Sequence, residues 1–239
     1  MELELKKECL DTYELGEPQT LTQEETAETI VPDYCPDIAR IISAEGVVCL
    51  HGGTEQDGVT GTVRVTVLYT PENESGVRAL EFAMPFSAQG EGLAGCAHVV
   101  VETEIELLES RMLNPRKIFT RCKLVTHLAG CRKVCLTISS DAETDPALLV
   151  EKRCCGQTVS LLRQVAEKDL TFSETMSLSL GREGAAELLH CRANGIVTET
   201  KAIGNKLIFK GVFWVSALYR TIGGQLASAS AGLPFSQIM

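Results

Sequence analysis

The stretch "GTVRVTVLY" (61–69) decides how the chain is read. Val63, Val65, Val67 and Tyr69 fall on one face of an extended strand, and Thr62, Arg64, Thr66 and Leu68 fall on the other. A strict period of two marks a half-buried β-strand. The same pattern returns as "GVFWVSALY" (211–219), 150 residues later. Gly46-Val47-Val48 returns as Gly195-Ile196-Val197, and "MPFS" (84–87) returns as "LPFS" (233–236), both 149 residues on. Self-similarity at a fixed offset is the signature of a duplicated structural unit.

The expected organisation is therefore one β domain over 1–142 and a second, truncated repeat over 143–239. The counterpart of residues 89–140 is missing from the second repeat, and with it two long strands. An incomplete repeat leaves an unprotected sheet edge, so self-association through residues 195–239 is expected. Further alternation supports antiparallel strands in "HVVVETEIELLE" (98–109) and "KIFTRCKLVTH" (117–127). If "LNPR" (113–116) turns the chain between them, Glu109 falls opposite Arg121 and Glu106 opposite Lys123. Short helices are expected at "PDIARII" (36–42) and "GREGAAELLH" (181–190), and a linker at "SSDAETDPA" (139–147). The fold class is mainly β: tandem antiparallel β-sandwich-like repeats with short helices, the second repeat incomplete.

Composition bounds the function. The chain has 239 residues, 44% hydrophobic and 23% charged, as in ordinary globular proteins. The net charge of −10 repels phosphate backbones, and the short basic clusters at 114–117 and 151–153 do not argue for nucleic acid. No apolar run approaches the ~18–20 residues that span a bilayer, so no membrane insertion is expected. The start, "MELELKKECL", has no apolar core of a signal peptide, which points to a cytosolic compartment.

Ten cysteines are present, and none forms a C-x-x-C pair. Most are expected to be small buried hydrophobes or free thiols. Cys154-Cys155 would point to opposite faces of a strand. A Cys131–Cys135 disulfide is geometrically possible, though a reducing cytosol argues against it. No phosphate loop, nucleophile elbow or H-E-x-x-H occurs, and the four histidines stand at no readable spacing from a nucleophile. No cofactor, metal or catalytic residue is assigned.

"VPDYCPDIARII" (31–42) reads as a loop running into a helix, with Pro36 suited to the first helical turn and Asp37 to its dipole. Its other reading is a partner-contact loop. Trp214 aligns with Arg64 on the outward parity of its strand, where an exposed ring could mark an interface. The candidate partner-contact residues are Tyr34, Cys35, Asp37, Asn114, Arg116, Lys117 and Trp214.

"VPDYCPDIARIISAEGVV", "GTVRVTVLYTPENESG", "MPFS" and "LNPRKI" together resemble the SPOCS domain of SipL-like spore coat morphogenesis proteins of clostridia. The resemblance covers residues 1–138 well and 148–239 as a weaker copy. It implies a non-enzymatic structural protein of the bacterial spore envelope that acts through protein–protein interaction. The location it implies is the mother-cell cytoplasm, then the forespore surface. Its implied partners are other coat morphogenetic proteins, the coat-anchoring ATPase among the candidates. SipL-like proteins usually meet that ATPase through a C-terminal LysM domain, and the sequence stops at "LPFSQIM" (233–239) without one. The alternative is a glycan- or peptidoglycan-binding β-sandwich, and an enzyme with an unrecognised site stands third.

Overall fold

A computed structural model describes residues 4–51, 58–143, 151, 153, 156, 158–166, 173 and 184–239 of the chain. The described residues form ten β-strands: β1 (Glu4–Leu15), β2 (Gln19–Ile30), β3 (Ile38–His51), β4 (Gly58–Pro71), β5 (Arg78–Gln89), β6 (His98–Asn114), β7 (Lys117–Glu143), β8 (Ala185–Ile203), β9 (Lys206–Thr221) and β10 (Leu226–Ile238). Every pairing is antiparallel.

The first repeat is a two-layer sandwich. One layer is the sheet β3-β4-β5. The other is built on β7, whose 27 residues reach roughly 90 Å at ~3.4 Å per residue. β6 lies along one edge of β7, from His98 opposite Cys131 to Asn114 opposite Lys117. The opposite edge takes β2 over Lys117–Leu128 and then β1 over Cys131–Glu143. β1 and β2 are thus one nearly continuous partner for β7, broken only at Gly16-Glu17-Pro18. Even there the Gly16 amide donates to the Gly130 carbonyl at 2.8 Å.

Alternation built this core. Val63, Val65, Val67 and Tyr69 of β4 meet Ile118, Cys122 and Leu124 of β7, and all are buried. Burial pushes the Cys122 thiol up to about 11, helped by the Glu25 carboxylate, and pushes the Tyr69 phenol up to about 12, with Cys35 adding to the effect. Glu109 lies opposite Arg121, as expected. Lys123 pairs with Glu106 at 2.8 Å, although a bulge between Ile105 and Leu107 puts Leu107 opposite it in register.

The expected helices are not there. Residues 38–42 open β3, and 185–190 open β8, while 181–183 lie outside the described residues. The cause is a pair of β-bulges, between Ile38 and Arg40 and between Ile41 and Ser43. Each adds a residue that flips the alternation. Ile38, Ile41 and Ala44 therefore all pack on the core at a spacing of three, which imitates a helical face. The expected linker is also partly strand. Residues 139–143 belong to β7, held by β1, and 144–147 lie outside the described residues.

The second three-stranded sheet, β8-β9-β10, repeats the order of β3-β4-β5. Gly61 pairs with Phe86, and Gly211 pairs with Phe235. The bulges recur too, between Ala185 and Glu187 and between Leu188 and His190. Ala44 pairs with Val67 and Cys191 with Ala217, so β8 sits 147 positions from β3 rather than the 149 of the sequence match. A slip of two preserves the face. What differs is cover. Phe86 is 5% exposed in the first repeat. Phe235 is only half-buried, and so are Phe213, Val215 and Leu233 on the same face.

Cys135 is not paired with Cys131, which is a buried free thiol. It forms a disulfide with Cys9, the Cα atoms 5.7 Å apart. β1 brings the two together: Cys9 faces Thr137 and Cys135 faces Asp11, one diagonal step along the same face of the ribbon. Cys154 and Cys155 lie outside the described residues.

Candidate interaction loop at one end of the sandwich

Six of the seven partner-contact candidates meet at one end of the first sandwich. The loop joining β2 to β3 (residues 31–37) lies against the turn joining β6 to β7 (residues 115–116). Two backbone hydrogen bonds fasten them, from the Val31 amide to the Arg116 carbonyl and from the Ile38 amide to the Pro115 carbonyl, both 2.9 Å. The Arg116 side chain then grips the loop from within. It donates to the carbonyl oxygens of Cys35 and Val31 at 2.8 Å each. It also donates to the carboxylates of Asp37 at 3.1 Å and Asp33 at 3.0 Å. A planar guanidinium with five donors suits this task, and an ammonium does not.

The remaining members prepare the clamp. Asn114 Oδ1 accepts the Arg116 amide at 2.9 Å and shapes the turn that aims the guanidinium. Lys117 pairs with Glu28 at 2.5 Å on the outer face. The Cys35 amide donates to the Pro32 carbonyl at 2.9 Å, and Cys35 packs against the core beside Tyr69. The effect is to turn Tyr34 outward. It is 88% exposed, on a loop tied at both ends. Ile30, which ends β2 four positions earlier, is 72% exposed.

Trp214 does not belong to this group. It lies on β9 of the second sheet, opposite Asn194, and is 54% exposed, on the outward parity expected from its alignment with Arg64. Asp33 and Ile30 were not among the candidate residues read from the sequence. Asp33 is the second carboxylate of the Pro-Asp steps, and its symmetry with Asp37 about Cys35 was the available signal. Ile30 carried none, because it ends a strand that alternates normally.

One other place brings chemistry-bearing side chains together. A cleft of about 550 Å³ separates β8 from the outer face of β3-β4-β5 and is lined by Glu45, Cys49, Arg64, Glu81, His190 and Cys191 among others. His190 Nε2 lies 3.1 Å from Glu45 Oε2, while its buried Nδ1 has no hydrogen-bond partner among the described residues. A nucleophilic triad needs both ring nitrogens engaged, one by the orienting acid and one by the nucleophile. Among the described residues no group of three or more His, Cys, Asp or Glu converges to hold a metal ion.

Comparison with protein-family models, with curated proteins and with solved structures finds no match to this chain.

Proposed function

We propose that the chain is a structural assembly protein of the bacterial spore envelope and acts by protein–protein contact. The observation that carries this reading is the Tyr34 loop. An aromatic side chain that is almost wholly exposed costs apolar surface in water, and here four hydrogen bonds from one arginine keep it so. A rigid aromatic anchor of this kind is what a protein partner's pocket accepts at low entropic cost. The link to the spore envelope rests on the SPOCS resemblance, whose "PDYCPD" and "LNPR" segments are the two that build the loop and its clamp. Coat morphogenetic proteins of the forespore surface are the partners this reading names.

The test is localisation. A fluorescent fusion of the chain in a sporulating clostridial host should form a ring or cap on the forespore. The Tyr34→Ala fusion should stay diffuse in the mother cell. Diffuse signal from the unaltered fusion, shown intact by immunoblot, overturns the reading.

A glycan-binding module is the second reading, favoured by the exposed rings of Tyr34 and Trp214. Retention on purified cortex or cell-wall material, lost with either ring, would select it.

A further inference from the structure

The charge of the chain is divided unevenly between its two repeats. Residues 1–142 carry 12 Lys and Arg against 23 Asp and Glu, a net of −11. Residues 143–239 carry 10 Lys and Arg against nine Asp and Glu, a net of +1, and the strands β8–β10 within them (185–239) carry five against two, a net of +3. The structure turns that imbalance into two opposed surfaces.

The basic surface is the β8–β9 hairpin. Every residue from Cys191 to Ile203 is exposed. Successive strand residues point to opposite faces, so unbroken exposure means that this part of β8 is open on both sides. Cross-strand partners share a face. Arg192 lies opposite Ser216, Ile196 opposite Val212 and Lys201 opposite Ile208, so all three lie on the face that also carries Lys206 and Trp214. Ile196 and Trp214 are 52% and 54% exposed. Lys210, on the same face, is engaged by Glu199, whereas Arg192, Lys201 and Lys206 have no anionic partner among the described residues. Cations flank an apolar centre with an aromatic ring, the composition of an interface core and rim.

The acidic surface is the outer face of β6, the edge strand of the four-stranded layer. Lys123 is taken by Glu106, Arg121 by Glu24 and Lys117 by Glu28. That leaves Glu102 and Glu104 exposed without a cationic partner among the described residues, beside the exposed Val100.

We propose that copies of this chain associate head to tail, the Trp214 face of the β8–β9 hairpin of one copy docking on the Glu102–Glu104 face of β6 in the next. Charge complementarity selects this occupant. Two hairpins facing each other would oppose like charges, and β6 facing β6 would do the same. Repeated head to tail, such a contact generates rings or filaments. The inference concerns a different surface from the Tyr34 loop and stands whether or not that loop binds a coat protein.

Sedimentation velocity of the purified chain tests it, from micromolar to millimolar concentration, at low salt and at about 1 M salt, where screening shortens to ~3 Å. Species larger than dimers are expected to grow with concentration at low salt and to vanish at high salt. Arg192→Glu with Lys201→Glu and Lys206→Glu should weaken association by about tenfold or more, and so should Glu102→Lys with Glu104→Lys. Mixing the two variants should restore it, because each supplies the sign the other lost. A chain that is monomeric throughout at low salt overturns the proposal. So does a closed dimer indifferent to the β6 changes, which would place the contact between hairpins. The salt series uses the unaltered chain, so it decides the matter even if a variant misfolds.

Discussion

Arg116 holds Asp37 at 3.1 Å across 79 positions of sequence, and the same guanidinium takes the carbonyl oxygens of Val31 and Cys35 at 2.8 Å. Those two carbonyls lie outside the strand ladders, and Arg116 supplies their donors. Arg116→Ala should cost about 2–3 kcal/mol of stability, because partly buried acceptors lose their donor. Arg116→Lys should recover less than half of that, for want of the planar fork. Urea denaturation measures both, and amide exchange at Tyr34 and Cys35 should accelerate in each.

Tyr34 is expected to behave in the opposite way. Nothing packs on a side chain that is 88% exposed, so Tyr34→Ala should shift stability by no more than about 0.5 kcal/mol. Partner capture or forespore localisation should nevertheless fall. A large loss of stability with unchanged localisation would mean that the ring is structural.

Gly61 lies under the ring of Phe86. A Cβ there would stand 2.5 Å from Phe86 Cε1 and 2.9 Å from the Cys49 carbonyl. Gly61→Ala should therefore cost about 1–3 kcal/mol through overpacking. Phe86→Leu should relieve part of that cost in the double variant, and a thermodynamic cycle of the four proteins checks the coupling.

The Cys9–Cys135 disulfide closes a loop with a sequence separation of 126. Cys9→Ser and Cys135→Ser should each cost about 2–4 kcal/mol relative to the oxidised chain. Each should also remove the mobility difference between reduced and oxidised protein on a denaturing gel, while Cys131→Ser should leave it in place.

Alkaline pH should destabilise the sandwich. Cys122 titrates at 9.0 when free and about 11 when folded, and Tyr69 at 10.0 and about 12. The folded state holds the proton more tightly in both cases, so this stability is fully present below the free values and is lost as pH rises through the folded ones. The urea midpoint should be flat to about pH 9 and then fall. Tyr69→Phe should flatten the later part of the decline and Cys122→Ala the earlier part.

The alternation of "TVRVTVLY" and "KIFTRCKLVTH" named the core before any fold was known, because each strand is buried on one side and wet on the other. Ile118, Thr120, Cys122 and Leu124 are all fully buried, on the face their spacing assigned. The same logic misread "PDIARII". Two bulges within six residues place core side chains three apart, and a short apolar stretch at that spacing looks like a helix turn until its partner strand is known. The loop candidates were legible as residue types, since Pro, Asp and Asn mark turns. The clamp was not, because Arg116 and its acceptors lie about 80 positions apart, and a charge on a turn reads locally as solvated surface.

The sequence by itself determined the β class, the duplication and the inward faces of β4 and β7. Those properties are written in local alternation, and burial selects them residue by residue. The tertiary structure decided that one strand of 27 residues carries β1 and β2 along a single edge, that Cys9 finds Cys135, and that Arg116 locks the Tyr34 loop. It also decided that the second repeat keeps its shape while its inner face stays half-covered. Partners separated by about 80 to 130 positions are chosen by how the layers pack, and a period of two says which way a side chain points but not what it will meet.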